Sequence, residues 1–136
     1  MKWPPTDLQL LEEIYRRYYA VFAEYSKGTP SRTTKVYVPI NIEELAEYFG
    51  IDGDIVFGRL YYHLEPKYGF TQKDDNSKVH FFTLKTGEDR HVVQFALLAA
   101  VIAGLREERK KHLIATWLSV AALIASAISV GIALAQ

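Results

Sequence analysis

The chain has 136 residues, 16 Lys and Arg against 16 Asp and Glu, four His and no Cys. That length fits one domain of ordinary size, or a smaller one with an appendage. Zero net charge excludes a generally basic, histone-like nucleic-acid binder, and the missing cysteines exclude disulfide staples, thiolate zinc sites and a cysteine nucleophile. The averages hide a division: all nine Tyr and six of the seven Phe fall between Tyr15 and Phe82, whereas residues 113–136 carry no charge.

Met1-Lys2-Trp3-Pro4-Pro5 leads into a polar segment, so no secretory leader is expected. Thr6-Asp7-Leu8-Gln9 has the form of a capping box. Behind it Leu8, Leu11, Tyr15, Tyr18, Phe22 and Tyr25 recur at three or four, which predicts a helix with one buried face, ended by Gly28. Lys35 to Ile40 is a β-branched run closed by Pro39 and reads as an edge strand. Asn41-Ile42-Glu43-Glu44 opens a second helix with Ile42, Leu45, Ala46 and Phe49 inward, stopped by Gly50. Asp52 is placed to cap a third, from about Gly53 to Leu64, burying Val56, Phe57, Leu60 and Leu64. Two strands are expected next, Tyr68 to Gln72 and Val79 to Leu84, joined by the polar turn 73–78.

Helix, strand, helix, turn, helix and hairpin is the order of a winged helix-turn-helix. Leu45 to Phe70, LAEYFGIDGDIVFGRLYYHLEPKYGF, resembles that family in its Leu-Ala pair, its Gly at the turn, its apolar plug and its Tyr-Gly-Phe entry to a wing. The resemblance covers about half the chain and implies an α+β fold, a small winged-helix-like domain over residues 1–86. It does not imply one function, because such domains bind DNA, RNA and proteins alike. In that family the start of the third helix meets phosphates. Here it carries Asp52 and Asp54, and residues 1–85 have net charge −1. A duplex-binding surface needs several phosphate-neutralising cations, so DNA is the less expected partner unless an oligomer aligns Arg16, Arg17, Arg32, Lys35 and Arg59.

Val92 to Leu105 is apolar almost all round but, at ~21 Å as a helix, too short to span a bilayer. A helix from about Glu88 through Lys111 is expected, a connecting segment over residues 87–112. It would be covered by the domain, by identical helices in an oligomer or by the membrane surface, with the oligomer preferred; a hairpin with both apolar stretches inserted is disfavoured by Arg90 and the charged linker 106–112. Leu113 to Ala135 has 23 residues without a charge, Asn, Gln or Pro. At 1.5 Å per residue it reaches ~34 Å, enough to cross a hydrocarbon core of ~30 Å. The basic flank Arg106, Arg109, Lys110 and Lys111 precedes it, which by the positive-inside rule leaves the N-terminal domain in the cytoplasm, in a single-pass, C-terminally anchored topology. The same flank would lie against anionic headgroups of membrane lipid. Ala115, Ser119, Ala122, Ser126, Ser129 and Ala133 recur at spacings of four and three and form a small-residue seam suited to close helix approach and a homo-oligomer.

Chemistry has little to work with. His63, His80, His91 and His112 show no ligand spacing, although the expected fold would bring His63, at the end of the third helix, towards His80 in a wing strand. Paired acids in a cleft, a phosphate-cradling glycine loop and a nucleophile elbow are all missing. The expectation is a non-enzymatic protein without metal or cofactor. Tyr15, Tyr18, Phe22, Tyr25, Tyr61, Phe57, Phe70 and Phe81 are assigned to the core; Tyr19, Tyr48 and Tyr62 fall outside it. The candidate partner-binding residues are therefore Arg16, Arg17, Tyr19, Arg59, Tyr62 and His63, where exposed rings beside cations would take a protein or a nucleotide-like ligand. The whole reads as a membrane-anchored sensor or effector. The alternatives are a membrane-tethered DNA-binding regulator and a scaffold subunit docking through Val92–Leu105.

Overall fold

The computed structural model of the chain describes residues 2–25 and 30–136. Helix α1, Asp7–Ala23, begins at the Thr6 capping box, with Gln9 N–H donating to Thr6 Oγ1 and Thr6 N–H to Gln9 Oε1. It ends at Glu24; the expected stop, Gly28, lies outside the described residues. Its buried face is Leu10, Leu11 and Ile14. Tyr15, Tyr18, Phe22 and Tyr25 are only half-buried, because the face is rotated by about one position from the aromatic stripe. Arg32 is buried and donates to the carbonyls of Val21 and Lys35, at 3.1 and 2.7 Å. It thereby satisfies an end carbonyl of α1.

Strand β1 is Tyr37–Pro39 and helix α2 is Ile42–Phe49, capped by Asn41. The Tyr18 hydroxyl accepts the Asn41 N–H at 2.7 Å and joins α1 to this cap. Gly50 stops α2 in the left-handed region, φ 66, and the Ile51 N–H returns to the Ala46 carbonyl. Helix α3, Gly53–Gly58, starts on Asp52, whose carboxylate accepts the Asp54 N–H. It runs into a π-helical turn, Arg59–Leu64, and then α4, Glu65–Tyr68. Pro66 has no N–H for the Tyr62 carbonyl and its ring crowds that oxygen, which accounts for the widened turn before it. Val56, Leu60 and Leu64 are buried as the spacing predicts, and Phe57 is half-buried.

The strands differ from the expected pair. β2, Phe70–Thr71, and β3, Lys78–Val79, make a two-residue ladder, and β4 begins separately at Phe82–Thr86. β4 forms a hairpin with β5, Asp89–Gln94, and β5 is the middle of a three-stranded antiparallel sheet ordered β1-β5-β4. The turn is Gly87-Glu88. Gly87 has φ 60, and a Cβ there would lie 2.6 Å from the Thr33 hydroxyl, so the position requires glycine.

Helix α5 runs from Phe95 to Ala135. The expected helix from Glu88 is thus corrected: Val92 and Val93 are fully buried sheet residues, and the stretch Val92–Leu105 is not one docking helix. Within Met1–Ile102, one of two compact units, Phe95, Leu98, Val101 and Ile102 are buried. Phe95 stacks on Phe22 and Tyr15 of α1, at 4.7 and 5.3 Å between centroids. That portion is covered by its own domain, because β5 delivers it directly onto α1. In the other unit, Ala103–Gln136, the chain is helical through Ala135 and every residue from Arg106 on is exposed.

Among the core aromatics, Phe81 is fully buried, joined by Phe82 and Phe95, which the sequence did not single out. Tyr61 and Phe70, assigned to the core, are 38% and 48% exposed. The π turn places Tyr61 at the rim, and the short β2–β3 ladder leaves Phe70 uncovered.

Candidate functional site

The candidate cations Arg16, Arg17, Arg59 and His63 are held by acids of the same unit. Glu13 is buried on α1 and bonds both Arg16 and Arg17, one turn on; Arg17 also faces Glu44 of α2 at 3.7 Å. Burial would raise the Glu13 pKa, but the hydrogen bonds and charges of the two guanidinium groups outweigh it and hold the carboxyl below its usual range. The Arg16 pKa is raised in turn, first by its hydrogen bond to Glu13. Both guanidinium groups lie over the Tyr48 ring, at 6.0 and 5.7 Å, within cation–π range.

A second group forms around Asp7. Arg59, His63 and Lys67 recur every four residues along the π turn and α4, and all three face this one carboxylate, at 2.9, 3.1 and 3.8 Å. Arg59 also donates to the Pro5 carbonyl at 2.6 Å. It thereby fixes Trp3-Pro4-Pro5 as one wall of a cavity of about 600 Å³, whose other walls include Glu13, Arg16 and Tyr48. Arg16, Arg17 and Arg59 are therefore brought to one cavity, the first lining it and the other two bracing it.

Tyr62 is 73% exposed and stacks edge-on against Tyr61 and Phe57, and Tyr19 is 49% exposed beside Tyr15; neither lines the cavity. His63 and His80 do not meet: His80 bonds Glu65 at 2.6 Å, and the same carboxylate accepts the Phe81 N–H. The cavity wall that sequence reasoning missed is Trp3 with Pro4 and Pro5. The available signal was a stiff Pro-Pro pair directly before a capping box.

The cavity offers exposed aromatic faces, Trp3 at 80% and Tyr48 at 58%, around a charge pair that is already neutralised. That suits stacking of a flat or proline-rich ligand. Among the described residues no cluster of His, Cys, Asp or Glu has the geometry to hold a metal ion.

In the other unit, α5 is the one helix among the described residues long and apolar enough to cross a membrane. Its most apolar 18 residues have mean hydropathy 2.3, and none of them is buried. Three of its four hydroxyls turn back to the backbone, Thr116 to the His112 carbonyl, Ser119 to Ala115 and Ser129 to Ala125, each at 3.0 Å. This satisfies polar groups that hydrocarbon would leave bare. Arg106, Arg109, Lys110, Lys111, and the seam Ala115, Ser119, Ala122, Ser126, Ser129 and Ala133, are all exposed. No family model, no curated protein and no solved structure matches the chain.

Proposed function

We propose that the chain is a non-catalytic, membrane-anchored binding protein. Its N-terminal unit is a winged-helix-like domain on the cytoplasmic side that takes a protein or nucleotide-like partner. Its apolar helix spans the bilayer once and associates with copies of itself, so that occupancy of the domain biases assembly in the membrane. The observation that carries this reading is the uncharged, uncovered stretch of α5 with Ser119 and Ser129 bonded back to its own carbonyls. The order helix, strand, helix, helix and hairpin, with β1 beside the second hairpin strand, supports the winged-helix assignment. The basic flank supports the orientation, and the small-residue seam supports self-association.

The rival reading, a membrane-tethered DNA-binding regulator, is favoured by that same element order. Against it stand Asp52 and Asp54, exposed at the start of α3, and the internal engagement of Arg17, Arg32 and Arg59. The test of the anchoring claim is flotation with phospholipid vesicles followed by an alkaline carbonate wash. The full chain is expected to stay with the vesicles; release by the wash would reject the spanning helix. A gel shift at low salt with the full chain in detergent decides the rival: saturable binding that weakens steeply with salt would favour it.

A further inference from the structure

A second cavity, of about 500 Å³, opens between the starts of α2 and α3 and the β5 residue His91. Asn41, Glu43, Asp54, Phe57 and His91 line it, with the buried Ile40 at its base. The ion pairs among the described residues engage Asp7, Glu13, Glu44 and Glu65 and leave Glu43 and Asp54, both exposed, without a cation.

Two local features shape the walls. Gly53 has no side chain where a Cβ would collide with the Glu43 carboxylate, so that carboxylate lies directly against the first residue of α3. His91 takes φ 51, a left-handed conformation rarely adopted by a non-glycine residue within a strand. Its carbonyl accepts the Ile40 N–H, and its ring sits 6.3 Å from Phe82, nearly parallel, and 6.0 Å from Phe57, edge-on.

We propose that this groove binds the side chain of a Lys or Arg presented by a basic segment of a partner protein. Two uncompensated carboxylates on adjacent helix starts give the charge complement. The Phe57 ring, stacked on Tyr61 at 5.4 Å on one face, lines the groove with its remaining surface and gives an aromatic contact for the cation, and Ile40 an apolar base for its aliphatic stem. The same acids repel a phosphate at the position where a winged-helix domain would place one, so the groove selects a basic protein over a nucleic acid by repulsion as well as attraction. This assignment rests on the reading of the N-terminal unit as a binding module and is independent of membrane insertion.

The experiment is a titration of the ¹⁵N-labelled full chain, in detergent micelles, with the blocked tripeptides acetyl-Gly-Arg-Gly-amide and acetyl-Gly-Glu-Gly-amide. The arginine probe is expected to shift the amides of Gly53, Asp54, Phe57 and His91 saturably, and the glutamate probe to leave them in place. The double variant Glu43→Gln, Asp54→Asn should weaken the arginine probe at least fivefold while the remaining spectrum is unchanged. Phe57→Leu, which keeps an apolar wall without the ring, should weaken it severalfold. Unchanged binding by the double variant, movement of the same amides by the glutamate probe, or shifts confined to Glu12 and Glu13 would each overturn the assignment. Working in micelles keeps the result separate from the vesicle test, which can fail or succeed on its own.

Discussion

Glu13 is 5% exposed and ionised, held by two arginines that follow it by three and four residues. A folded-state pKa below the unfolded value of about 4.5 means that this carboxylate stabilises the fold above that pH. The contribution is lost as pH falls through the lowered value. Glu13→Gln is therefore expected to be less stable than the parent at neutral pH, with the gap narrowing as the solution is acidified below about 4.5. Urea midpoints measured between pH 7 and pH 3 check this; a constant gap would show that the charge contributes nothing. Asn41 carries a second residue-scale prediction. Its side chain accepts the Glu44 N–H at 3.1 Å, so Asn41→Ala should cost about 1 kcal/mol with the denaturant slope unchanged. Gly87→Ala should also destabilise, because the turn needs a positive φ and the Thr33 hydroxyl occupies the space of a Cβ.

At the scale of elements, the helices were legible because their signals are local. Thr6, Asn41 and Asp52 cap where they were expected to, Gly50 stops α2, and Val56, Leu60 and Leu64 turn inward. β5 was not legible. Asp89-Arg90-His91 hides its alternation, Val92 and Val93 are consecutive, point to opposite faces of the sheet and are both buried, and the two-residue turn Gly87-Glu88 is a weaker mark than Asn-Gly. An apolar run of Val92 to Leu105 therefore read as one helix, although its first three residues complete a sheet that depends on partners more than 50 positions away. The candidate site suffered likewise: the exposed tyrosines and the arginines could be read from spacing, whereas the Asp7 cluster and the Trp3-Pro4-Pro5 wall depend on contacts 52 and 54 residues apart. The consequence is testable by truncation. A fragment ending at Lys85 lacks the central strand and should be unfolded by circular dichroism. One ending at Leu105 keeps β5, Phe95 and Leu98 and should melt cooperatively. Within it Leu98→Ala should cost about 2–5 kcal/mol, as for a fully buried leucine.

At the scale of the whole molecule, the charge-balanced chain is a mixed helix–sheet unit joined through α5 to a segment with no charge beyond His112. In water a helix of that composition has no cover, whereas in a bilayer the hydroxyls of Thr116, Ser119 and Ser129 are already bonded to backbone carbonyls and its apolar surface is solvated. If the small-residue seam packs helix on helix, the full chain in mild detergent should have the mass of a defined oligomer, and Ser119→Leu with Ser126→Leu should reduce it to a monomer. A monomeric parent would remove the assembly step and leave α5 as an anchor alone.

Spanning and orientation are tested most directly by labelling, which the absence of native cysteine makes clean. Ser31→Cys, in the exposed part of the N-terminal unit, and Gln136→Cys, after the helix, would each be introduced singly. Both variants would be treated with a membrane-impermeant maleimide in sealed vesicles of known sidedness. The account predicts that position 31 reacts only from the cytoplasmic face and position 136 only from the opposite face. Reaction of both from the same face would contradict a helix that crosses the membrane.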